Sequence, residues 1–159
     1  MRRLLTALLI LTITTSLTAC GAGNNASTRQ VNQVTDGVEA SITSDDNNIK
    51  LVNMLVVATP EGAGVLVGTI INVKPEDDAL LGISINGKLA TISGANTLAQ
   101  NKPIIFEGAS ANSKAVVGEL GAKAGDHVAL SLFFAHAGQV DLLAIIRDQR
   151  DTYAGITAK

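Results

Sequence analysis

From position 38 onward the apolar residues fall in short runs, rich in Val and Ile, that are broken by Gly, Pro, Asn and Asp. Val38 to Thr43 alternates Val38, Ala40 and Ile42 against Glu39, Ser41 and Thr43, the period of a strand with one buried and one wet face. Ile49 to Thr59 and Val65 to Val73 are apolar on both faces, as in central strands of a sandwich, and Pro60-Glu61-Gly62-Ala63-Gly64 turns the chain between them. Within Ile83 to Ile92, Asn86-Gly87 predicts a two-residue type I′ hairpin, because both residues tolerate the positive φ angles that this turn demands. Ile104 to Glu107, Lys114 to Leu120, His127 to Phe134 and Gln139 to Arg147 are further strands, the last two joined by Ala135 to Gly138. With no amphipathic helix between them, these segments predict an all-β, immunoglobulin-like antiparallel sandwich over 35–148, with a barrel as the alternative.

The two ends break this pattern. Arg2 and Arg3, the apolar stretch Leu4 to Leu17 and Leu17-Thr18-Ala19-Cys20 have the charged, apolar and small-residue order of a secretory leader that ends in a lipobox. The stretch is interrupted by Thr and Ser and is shorter than the roughly 20 apolar residues of a transmembrane helix. Residues 1–19 are thus expected to be cleaved as a lipoprotein signal peptide. Cys20, the only cysteine in the chain, is expected to carry a diacylglyceryl anchor holding the protein on the extracytoplasmic face of the cell membrane. Residues 20–34, rich in Gly, Asn, Ser and Gln, read as a flexible tether. At the other end, 149–159 loses alternation and reads as a polar, loosely held tail that Tyr153 could pin.

Charge and composition narrow the chemistry. The formal net charge is −2, and it becomes more acidic once Arg2 and Arg3 leave with the leader, so nothing suggests a nucleic-acid partner. With Cys20 consumed by lipid the exported domain has no disulfide to form, and its stability must come from an apolar core. Imidazole chemistry would have to use His127 or His136, which stand about 30 Å apart along an extended strand and read as solvated strand-end residues. A soft-metal site would draw on Met54, His127 and His136, too few and too dispersed for a clustered donor set. Asp45-Asp46-Asn47-Asn48 and Glu76-Asp77-Asp78 lack the calcium-loop pattern and read as solvated turns. Asp77, Asp78 and Asp126 are the first candidates for carboxylate acid/base work, but no catalytic constellation forms around them. Phe133, adjacent to Phe134 and therefore on the opposite face of its strand, either packs under a loop or offers a partner contact.

Two stretches resemble the PCu(A)C-type periplasmic copper chaperones, small immunoglobulin-like or cupredoxin-like sandwiches. The first is Gly68 to Val73 followed by Asp78-Ala79-Leu80-Leu81-Gly82-Ile83; the second is Gly125-Asp126-His127-Val128-Ala129-Leu130 through Gly138-Gln139-Val140. The resemblance spans roughly residues 50 to 147 and implies the cupredoxin-like form of the sandwich. It also implies copper ligands, including a His-x-Met pair, but the corresponding positions read Lys114-Ala115-Val116, and Ser84 to Ile92 contains neither His nor Met. Lipobox, tether and ligand-free sandwich together are similar to actinobacterial lipoproteins of the LpqE type. The resulting expectation is a membrane-anchored, non-enzymatic binding module of the cell envelope, without cofactor, that engages an envelope protein or small ligand. The alternative is a copper-handling protein with altered ligands.

Overall fold

The computed structural model describes residues 35–43 and 47–159. The leader, Cys20, the tether, and Asp45 and Asp46 lie outside the described residues. No helix among those described is long and apolar enough to cross a membrane.

Eleven strands follow in order: β1 Val38–Ile42, β2 Ile49–Ala58, β3 Gly64–Asn72, β4 Asp78–Ile85, β5 Lys88–Leu89, β6 Thr91–Gly94, β7 Thr97–Leu98, β8 Ile104–Phe106, β9 Ser113–Val117, β10 His127–Phe134 and β11 Gln139–Asp148. One layer carries β5-β4-β10-β11, with β7 beside β4; the other carries β1-β2-β3 with β8, β9 and β6. The sandwich is closed along one side by β11. Its first part pairs antiparallel with β10, and its last residues, Ile146 to Asp148, pair in parallel with Val56 to Ala58 of β2. The expected all-antiparallel arrangement therefore fails at this seam, where the closure is barrel-like.

Alternation places Val128, Leu130, Leu132 and Phe134 of β10 in the main core, facing Leu51, Met54, Val56, Leu66 and Ile70 of the other layer. In β2 the alternation changes phase. Asn53 sits at φ 54°, the register to β3 slips between Val52 and Leu55, and both Leu51 and Met54 point inward although they are three apart. This is a β-bulge, and Gly37 N–H donates to Asn53 Oδ1 at 2.8 Å across it. Opposite, Gly68 has φ 144° and a Cβ there would lie 2.5 Å from Met54 Sδ, so only glycine fits beside that thioether.

Asn86 and Gly87 take φ 52° and 74°, as a type I′ turn requires. The hairpin they make is short. After Leu89 the chain leaves β4 and crosses layers, so Thr91 to Gly94 pair with Ser113 to Val116 of β9.

The segment after Asp148, read from its composition as a loosely held tail, packs against the domain. Beyond a single 3-10 turn, Asp151–Tyr153, Ile156 is buried on the outer face of the β2-β3 layer against Leu55, Val57 and Val65. Gln149 donates to the Ile156 carbonyl, Lys114 Nζ to the Lys159 carbonyl at 2.7 Å, and the Tyr153 hydroxyl to Asp36 at 3.0 Å. Ile156, with Tyr153 and Ala158 beside it, suffices in this polar stretch because the face beneath is already apolar.

Candidate functional site

One end of the sandwich holds a cleft of about 400 Å³ lined by Asn47, Asn72, Lys74, Glu76, Asp77, Asp78 and His136. Asn72 ends β3 there, its Nδ2 donating to the carbonyls of Glu76 and Leu98 at 2.6 and 2.9 Å, which fixes the turn that delivers Asp77 and Asp78. Asp78 is a correction to its reading as a solvated turn residue: it is only 5% exposed. The physical reason is its ring of donors. The backbone N–H groups of Ala79, His136 and Ala137 reach its carboxylate at 2.7, 2.9 and 2.9 Å, and His136 Nδ1 lies 3.5 Å away. Burial alone pushes the Asp78 carboxyl up, but the N–H groups of His136, Ala79 and Ala137, with the His136 ring, outweigh it and hold the group below the usual carboxylate range. A carboxylate so occupied anchors the loop between β10 and β11 and is poorly suited to proton transfer.

The other carboxylates considered for acid/base work do not join it in one site. Asp77 is exposed at the rim of the same cleft, whereas Asp126 accepts the Lys123 N–H at 3.1 Å at the opposite end of β10. The soft-metal candidates are equally dispersed. Met54 is fully enclosed at 0% exposure, His127 is exposed where β10 begins, and His136 is exposed in the loop after β10 ends. Among the described residues no three His, Cys, Asp or Glu side chains are grouped to hold a metal ion.

The positions that the family resemblance would fill with a His-x-Met pair have other tasks. Lys114 lies 3.4 Å from Glu107 Oε1 and donates to the Lys159 carbonyl, while Val116 packs at the margin of the cluster around Ile156. Phe133 is half-buried on the outer face of β10 between Gly82 of β4 and Gln139 of β11; Leu81, next to Gly82, and Leu143, opposite Ala129 farther along the layer, are exposed (66% and 64%).

A second cavity, of about 440 Å³, lies between the C-terminal segment and the outer face of β2-β3, where Asn53, Val67, Glu107, Tyr153 and Ile156 meet. Beside it, Asp36 accepts from Tyr153 and pairs with Arg147 at 2.9 Å. Burial raises the Tyr153 phenol above its ordinary value, and the hydrogen bond to Asp36 and that carboxylate's charge add to the shift. Glu107, Asp36 and Arg147 were not legible as site residues, since they are far apart in sequence. Tyr153 and Ile156, aromatic and apolar in a polar tail, were the available signal.

No protein-family profile and no curated protein matches the chain. Among solved structures it is similar to the apo PCuAC domain from PmoF1, with TM-score 0.58 and 18% identity over 70% of this chain and 99% of that one. The fold is PCuAC-like. The copper-bound PCuAC domain from PmoF2 is matched at TM-score 0.57 and 18% identity over 70% and 98% of the two chains. The apo PmoF2 PCuAC domain is matched at TM-score 0.55 and 16% identity over 71% and 96%. The PCuAC-like domain here thus reproduces the scaffold, with Lys114 and Val116 put to structural use where the resemblance would place copper ligands.

Proposed function

We propose that this chain is a non-catalytic binding protein, lipid-anchored through Cys20 on the extracytoplasmic face of the membrane and built on a PCuAC-like domain. The observation that supports the binding role is the likeness to PCuAC domains, one of them solved with copper, while the anchor is proposed from the leader and Cys20 of the sequence. That likeness supports copper handling better than it supports a general envelope-interaction role. The donors of this chain limit how copper would be held. Met54 is enclosed, so the nitrogen donor that the cleft offers is His136; Glu76 and Asp77 line the same cleft but are not grouped with it, so copper would have to draw them together. Imidazole with carboxylates suits the cupric ion better than the cuprous one.

Titration of the full chain in detergent with cupric and cuprous ions tests this reading. It expects one cupric ion per chain, lost in His136→Ala and retained in His127→Ala. Absence of stoichiometric binding of either ion removes copper handling. The second reading, an envelope-interaction module, is favoured by the dispersal of the donors and by the exposed Leu81, Leu143 and half-buried Phe133 on one face. Crosslinking from intact cells followed by mass spectrometry would then return the same partner repeatedly, and return it less from a Phe133→Ser strain. The anchor has its own check: Cys20→Ser should release the protein from the membrane fraction.

A further inference from the structure

We infer that the cavity beneath the C-terminal segment is a binding site for a small organic cation, an ammonium group carried on a compact apolar body. The inference is independent of the copper reading, which concerns the other cleft. At about 440 Å³ the cavity has the size of small-ligand sites. It is held open rather than collapsed, because the segment that roofs it is tied down at three separate places: Tyr153 to Asp36, Gln149 to the Ile156 carbonyl, and Lys114 to the Lys159 carbonyl. A cavity preformed in this way spares a ligand the cost of ordering the segment.

Its walls differ in chemistry. Val67, Ile156 and the Tyr153 ring supply an apolar side, and Asn53 and Glu107 a polar one. Glu107 is a carboxylate with 15% of its side chain exposed, and its ion pair to Lys114 is 3.4 Å long, beyond the 2.7–2.9 Å of a well-formed charge-assisted hydrogen bond. Lys114 is drawn at the same time to the Lys159 carbonyl at 2.7 Å, which leaves acceptor capacity on Glu107 for a second cation. Glu107 and Asn53 both have left-handed backbones, φ 64° and 54°, and Glu107 has neither the missing Cβ of glycine nor the short side chain of asparagine to ease it.

The protein carries its own reporter. Tyr153 is the only tyrosine, and there is no tryptophan, so intrinsic fluorescence arises at the cavity wall. The full chain in detergent is titrated with three probes of one shape and different charge: cyclohexylmethylamine, cyclohexylmethanol and cyclohexanecarboxylate. The amine should give a saturable change in tyrosine emission with a Kd at least about tenfold below that of the alcohol, the factor expected of one charge-assisted hydrogen bond. The carboxylate should give none. Glu107→Gln should erase the preference for the amine and leave the alcohol unchanged. No saturable change with any probe, equal affinity for all three, or a preference that survives Glu107→Gln overturns the inference. Because the probe series is read on the unaltered chain, a Glu107→Gln protein that failed to fold would leave the charge preference itself as the deciding result.

Discussion

The two outer faces of the sandwich differ in what covers them. On the β2-β3 side, Leu55, Val57 and Val65 would present apolar surface to water, and Ile156 with Tyr153 closes over them. On the β4-β10-β11 side the outward positions are the small or polar Ala129, Ser131, Gly82, Ser84, Asp141 and Gln139 together with Phe133, Leu81 and Leu143, and that face stays open. The difference explains why β2 and β3 carry apolar runs on both faces while β10 alternates from His127 to Leu132, since a strand needs apolar residues on two sides only if something lies on each. It also shows two means of holding a sheet in place. The covered layer is held by side-chain burial, whereas the open layer has the loop between β10 and β11 fastened by backbone N–H groups to one carboxylate, Asp78.

The comparison is broken most severely at Asp78. Asp78→Ala leaves three backbone N–H groups without their acceptor and should cost about 2–4 kcal/mol in urea unfolding, since buried donors left unpaired cost about 1–3 kcal/mol each and water re-solvates part of them. The same carboxyl predicts an acid limb. Its folded pKa is depressed, so its stabilisation is present above the pKa of an unfolded aspartate and is lost as pH falls through the folded value. Stability of Asp78→Asn should therefore fall less steeply on acidification than that of the unaltered protein, and identical slopes would contradict the anchoring role.

Ile156→Ala tests the covered face. It should destabilise by about 2 kcal/mol, the low end for a buried Ile, because one side of the residue is a thin strap. A cost within about 0.5 kcal/mol in the same denaturation experiment would mean that the face needs no cover. Tyr153→Phe removes only the hydroxyl and should cost about 0.5–1 kcal/mol. The folded phenol is raised, so its contribution is present below the pKa of an unfolded tyrosine and is lost as pH rises through the folded value; stability of the unaltered chain should therefore fall more steeply on alkalinisation than that of Tyr153→Phe. Smallest of all, Leu143→Ser on the open face should stay within about 0.5 kcal/mol, as for other exposed substitutions.

How far each feature could be read in advance depends on the range of the interaction behind it. The strands from Val38 to Ile42 and from His127 to Phe134 match their alternation, and Asn86-Gly87 marks its turn, because these signals are local. The crossing of Thr91 to Gly94 from one layer to the other left no local trace; it depends on which partner strand is free to pair. Asn53 at the bulge looked like any polar residue in an apolar run, and only its partners Gly37 and Gly68 show why the phase changes there. At the candidate sites, Glu76, Asp77 and Asp78 were visible as an acidic turn, but not that the third member would be enclosed by the loop that follows β10.

Residue order alone sufficed for the class of fold and the positions of most strands, because backbone pairing and side-chain alternation repeat every two residues and need no knowledge of distant partners. It also sufficed for the PCuAC-like resemblance of the fold. The seam between β11 and β2, the burial of Asp78 and the cavity under Ile156 were decided only in three dimensions. Each joins groups tens of residues apart, where burial and hydrogen bonding depend on what the rest of the chain brings alongside.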